Sequence, residues 1–156
     1  MEKEDFMRKA IQLSVEKMEA DFGGPFGAVI VRNGEIVAYG YNNVTASNDP
    51  TAHAEVDAIR KACQHLGTYQ LTDCELYTSC EPCPMCLGAI YWARFRKVYY
   101  GNNKKDAAQI GFDDQFIYDE IDKPLPERHI PMEQLLRNEA LVAFQAWQKK
   151  NDKMEY

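Results

Sequence analysis

Cys80-Glu81-Pro82-Cys83-Pro84-Met85-Cys86 decides the fold, because it separates a strand-like run at Cys74–Ser79 from a helical stretch at Met85–Ala93, which leads into another strand-like segment at Arg96–Tyr100. Upstream, Phe26–Arg32 reads as a strand, Asn33-Gly34 as a tight hairpin turn and Glu35–Gly40 as the antiparallel return. Residues 42–50 are rich in Asn, Ser, Thr and Asp and read as a loop. Ala54, Val56, Ala58, Ile59, Ala62 and Cys63 then carry a helix. An earlier helix is expected over Phe6–Met18, which has a wide apolar face, and Gly23-Gly24-Pro25 breaks it. Strand, helix, strand, helix, strand is an α/β arrangement, in which functional groups gather where helices start at one edge of the sheet. Beyond Gly101 the pattern weakens. Residues 122–131 form a proline-punctuated connector, and Glu133–Lys150 reads as helical.

His53-Ala54-Glu55 falls in the first turn of one of these helices and Cys83-Pro84-Met85-Cys86 at the start of another. Cysteines three positions apart on a first helical turn face the same side and can share one metal ion, and Pro84 suits the first helical position. Backbone N–H groups exposed at both helix starts favour the thiolates. His53, Cys83 and Cys86 make three ligands. A structural zinc site is closed by four protein ligands, whereas a catalytic one keeps a fourth position for water. Two thiolates and a neutral imidazole cancel the charge of zinc, so its water is acidified less than at an all-histidine site, and a base is required. Glu55, two residues from His53, is the candidate for that base. Cys80 repeats the spacing of Cys83 to Cys86 and would close the site as a fourth ligand. It reads instead as a structural or near-site residue, with a closed, non-enzymatic zinc module as the competing possibility.

The 156 residues suit one globular domain, and their net charge of −6 argues against affinity built on neutralising many phosphates. A small uncharged substrate fits better than a nucleic acid. The start Met1-Glu2-Lys3-Glu4-Asp5 lacks the basic, then apolar character of a secretory signal, and no run is long enough to span a membrane. The cytoplasm is therefore expected. Cys63 and Cys74 read as buried thiols of a reducing compartment.

The H-x-E and P-C-x-x-C pair resembles the cytidine deaminase superfamily. Gly23-Gly24-Pro25-Phe26-Gly27-Ala28-Val29, Asn42-Asn43-Val44-Thr45, Asp49 through Glu55, Tyr77 through Cys86, Gly111-Phe112-Asp113-Asp114 and Tyr156 are similar to the small bacterial guanine deaminases within it. The resemblance implies a three-layer α/β/α fold on a central mixed sheet, a zinc cofactor held by His53, Cys83 and Cys86, and Glu55 as the proton carrier. It implies hydrolysis of the free purine base guanine to xanthine and ammonia. Phe26 would stack on the purine, Asn42 would bond a ring acceptor, and Asp114 and Tyr156 would select the guanine edge. It also implies a homodimer that exchanges residues 132–156 across the 121–131 connector. Read without the resemblance, Phe26 is a strand residue, Asn42 a turn former and Asp113-Asp114 a solvated turn. The cysteine motif and Gly88-Ala89 also resemble tRNA adenosine deaminases, and cytosine, cytidine and guanosine deaminases share the zinc pattern.

Overall fold

The chain doubles back at Asn33 and Gly34, whose φ angles of 52° and 78° are the left-handed values a tight hairpin needs. A computed structural model describes residues 1–156 and divides into two compact units, Met1–Asp114 and Gln115–Tyr156. The first unit runs α1 (Lys3–Glu19), β1 (Gly27–Arg32), β2 (Glu35–Tyr41), α2 (Val44–Ser47), α3 (Ala54–Leu66), β3 (Cys74–Cys80), α4 (Pro84–Ala93), β4 (Lys97–Asn102) and α5 (Lys104–Gln109). Its strands lie in the order β2-β1-β3-β4. β1 is antiparallel to both β2 and β3, while β3 and β4 are parallel. A parallel pair needs a crossover, and α4 supplies it.

Side chains on β1 alternate between two cores. Ala28 and Ile30 join Ala54, Ala58 and Ala62 of α3 and Ile90 and Ala93 of α4. Val29 and Val31 join Phe6 of α1 and Tyr77 of β3 on the opposite face. Helices thus cover both sides of a mixed sheet, which is the expected three-layer α/β/α arrangement. β1, buried on both faces, is accordingly apolar from Ala28 to Val31.

The docking of α3 sets the position of everything at its start. Ala54, Ala58 and Ala62 form a stripe of small residues, so the helix backbone can approach the sheet closely. Gly40 of β2 completes the fit. A Cβ added there would lie 2.3 Å from the Ala54 carbonyl oxygen and 2.6 Å from the Ala58 nitrogen.

Local differences from the sequence reading have physical causes. Val44–Ser47 forms a short helix within the expected loop. α5 arises from a reciprocal cap, in which Asn103 Oδ1 accepts the Asp106 N–H at 2.9 Å and Asp106 Oδ2 accepts the Asn103 N–H at 2.9 Å. His53 lies one residue ahead of α3 as its N-cap, rather than inside the first turn, and Cys83 stands in the same relation to α4. Cys74 is fully buried but Cys63 is only half-buried.

The second unit contains α6 (Gln115–Ile121), a 3-10 turn at Leu125–Glu127 and α7 (Arg137–Lys149). Its proline-rich connector is pinned by Arg128, whose guanidinium donates to the carbonyls of Glu120 (3.0 Å), Ile121 (3.2 Å) and Lys123 (3.3 Å). The last helix begins at Arg137, later than expected, because Leu136 takes a left-handed φ of 54°. No helix is long and apolar enough to cross a membrane.

Gly40→Ala forces α3 away from β2, and the strain of overpacking is about 1–3 kcal/mol. Urea denaturation should show a lower midpoint with an unchanged slope; an unaltered midpoint would mean that the helix does not depend on this contact.

Candidate active site

Three donor atoms converge where α3 and α4 begin. His53 Nδ1 lies 3.5 Å from Cys83 Sγ and 3.5 Å from Cys86 Sγ, and all three atoms fall within 4.8 Å of one another. Bond lengths of roughly 2.0–2.1 Å to nitrogen and 2.3 Å to sulfur at a tetrahedral zinc put those ligands about 3.5 Å apart. The donor set fits that ion. His53 is oriented by the turn before α3: its N–H donates to the Thr51 carbonyl at 2.8 Å, and its own carbonyl accepts the Asp57 N–H at 2.9 Å. Asp49 braces the same turn, accepting from the Thr51 N–H at 2.8 Å and the Thr51 hydroxyl at 2.6 Å.

The electrostatics suit a soft dication. The Cys83 thiol is pulled down to about 4, first by a hydrogen bond from the Cys86 thiol and then by His53, while that same Cys86 contact, followed by burial, pushes Cys86 up. His53 is raised in turn by its hydrogen bond to Cys83. Two adjacent sulfurs compete for negative charge, and a +2 ion satisfies both as thiolates.

Cys80 stands apart from this cluster. Its Sγ faces the Asn103 carbonyl at 3.9 Å, and burial pushes the thiol up to about 11, with Glu55, Glu81 and Asp114 adding to the rise. The three-donor group does not include it, so the closed four-ligand module lacks its fourth member.

Glu55 is buried at the second position of α3, and its Oε1 accepts a 2.5 Å hydrogen bond from the Thr78 hydroxyl. Burial raises the carboxyl above its ordinary range, opposed by hydrogen bonds from Cys86 and Thr78. A carboxyl group shielded from water beside three metal donors, and outside the ligand set, has the environment of a proton carrier.

Residues 1–102 match the family described as the cytidine and deoxycytidylate deaminase zinc-binding region. The chain belongs to that family. It is 62% identical over 156 residues to the guanine deaminase of Bacillus subtilis, covering 100% of both chains. An X-ray structure of guanine deaminase from Bacillus subtilis superposes with a TM-score of 0.97 at 62% identity, covering 100% of this chain and 99% of that one. A tRNA-specific adenosine deaminase of Aquifex aeolicus is 35% identical over 154 residues, covering 96% of each chain. The cofactor of this deaminase is zinc.

The remaining candidate residues occupy different settings. Phe26 is half-buried and meets Phe112 edge to face, with ring centroids 5.0 Å apart and planes at 89°. Asn42 is buried, and its Oδ1 accepts the N–H groups of Gly24 (3.2 Å) and Val44 (3.1 Å), so its amide NH2 is the end left for a ring acceptor. Gly23 is required for this packing: a Cβ there would lie 2.2 Å from Asn42 Oδ1. Asp114 is partly buried, and its carboxyl is raised first by desolvation, with the charge on Cys83 adding to the rise. Tyr156 belongs to the second unit and is exposed.

Sequence reasoning missed Thr78 and Phe112 as partners of Glu55 and Phe26. The alternation of β3 carries a signal for Thr78, since Cys74 and Leu76, at the same parity, enter the core shared with α3.

Cys83→Ser and Cys86→Ser should each lose stoichiometric zinc while Cys80→Ser keeps it, as read by metal analysis after gel filtration. Loss of zinc from Cys80→Ser alone among the three would reverse the assignment.

Proposed function

We propose that this protein hydrolyses guanine to xanthine and ammonia, in the cytoplasm, with Glu55 as its proton carrier and His53, Cys83 and Cys86 as its zinc ligands. The carrying observation is the buried Glu55 carboxyl beside a three-donor cluster with no fourth protein ligand. Similarity to a guanine deaminase along the whole chain supports the choice of base. Bound zinc supplies a Lewis-acid centre with one coordination position open to solvent.

Glu55 accepts a proton from the attacking water and gives it to the ring nitrogen, then accepts the remaining proton of the newly bound hydroxyl and gives it to the departing amine. The new C–O bond replaces the exocyclic C–N bond, and ammonia leaves. Phe26, held at a fixed tilt by Phe112, supplies a stacking face, a contact contributing about 1–3 kcal/mol in nucleic-acid complexes. The Asn42 amide NH2 donates to a ring acceptor. Asp114 selects donors on the guanine edge, because a carboxylate that the base covers from water disfavours bases that leave it unpaired.

The C-terminal segment 132–156 is read as exchanged between two copies, bringing Tyr156 to the partner's base. Support comes from apolar surface in need of cover: α7 has no buried residue, and Leu135, Leu136, Val142 and Phe144 are exposed, as are Tyr91 and Trp92 of α4. A tRNA adenosine deaminase activity is the second reading, favoured by the Aquifex aeolicus relative. The net charge of −6 weighs against it.

Zinc-loaded protein incubated with guanine, adenine, cytosine and their nucleosides should release ammonia from guanine at least about 100-fold faster than from the others. Glu55→Gln should keep its zinc and lose about 10²- to 10⁴-fold in kcat. Faster release from adenosine in tRNA, steeply weakened by salt, would favour the second reading. Removal of Met154–Tyr156 should sharply impair guanine turnover at unchanged zinc content, and an unchanged rate would remove Tyr156 from the site.

A further inference from the structure

We propose that Thr78 is a positioning residue for the proton carrier, fixing the carboxyl of Glu55 through its hydroxyl. The inference rests on the role proposed above for Glu55. Thr78 is fully buried on β3, paired with Ala28 of β1 on one side and Tyr100 of β4 on the other. Its backbone is therefore locked by two neighbouring strands, and its β-branched side chain has little freedom about χ1. Glu55 reaches the site on a long, flexible side chain from α3, so the rigid partner orders the mobile one.

The Thr78 hydroxyl has a second acceptor within reach, the Cys80 carbonyl at 3.1 Å. It does not need Glu55 for its own satisfaction, and of the two side chains that bond Glu55 it is the one that is not a metal donor, the other being Cys86. A hydroxyl has one hydrogen and two acceptor lone pairs. It can donate to Glu55 as a carboxylate, or accept from Glu55 while donating to Cys80. Either way Oε1 stays tethered to a rigid strand. A valine would fill the same space and provide no tether.

The test is the zinc-loaded enzyme assayed with guanine in the series Thr78→Val, Thr78→Ser and Glu55→Gln, with Thr78→Ala as a second hydroxyl-free variant should valine prevent folding. A hydrogen bond to a charged group gives an expected fall of about 10- to 100-fold in kcat for the hydroxyl-free variant, with KM within about threefold. Zinc content should stay at the wild-type level, and Thr78→Ser should restore most of the rate. A crystal structure of the hydroxyl-free variant should show the Glu55 carboxyl displaced from its wild-type rotamer. Undiminished kcat in that variant, an undisplaced Glu55, or equal loss in the serine variant would overturn the assignment. Full turnover by Glu55→Gln would instead overturn the reading on which it rests.

Discussion

The site depends on holding two helix starts, thirty residues apart in sequence, close enough for His53 Nδ1 to sit 3.5 Å from each of two sulfurs. Neither motif can do this alone. Cys83 and Cys86 are brought together by one turn of α4, but His53 arrives only because α3 lies against the sheet at Gly40 and because β1 fixes the spacing between β2 and β3. The antiparallel hairpin, the alanine stripe of α3 and the α4 crossover all serve that juxtaposition. Of the three donors Cys86 is buried and His53 and Cys83 are partly so, and Glu55 is buried.

Burial and hydrogen bonding also shift the titratable groups in different directions. Desolvation raises Glu55 while neighbouring donors restrain the rise, which suits a group that must both take and release a proton. Cys83 moves the other way because hydrogen bonds stabilise its thiolate. Cys80, a few residues away along the chain, is pushed up by burial, with the charges of Glu55, Glu81 and Asp114 adding to the rise. Three cysteines with the same spacing therefore sit in different environments, and only two of them join His53 in the donor group.

The sequence disclosed what short-range geometry controls. The Cys83 and Cys86 pair could be read because its spacing acts within a single helical turn, and the Asn33-Gly34 hairpin because its backbone angles are local. Thr78 escaped because its partner Glu55 is 23 residues distant and meets it only through the stacking of α3 on β3. Phe112 escaped for a similar reason, lying in a loop whose contact with Phe26 no periodicity marks. The onset of α7 was misplaced because the apolar pattern continues through residues 133–136, whereas Leu136 leaves the helical region. The start of α5 was legible in principle, in the Asn103 and Asp106 pair.

X-ray absorption at the zinc edge of catalytically active protein tests the central claim most directly. The account predicts two sulfur ligands near 2.3 Å, one histidine nitrogen and one light atom from solvent. Three sulfurs, or a first shell completed by the Glu55 carboxylate, would contradict it.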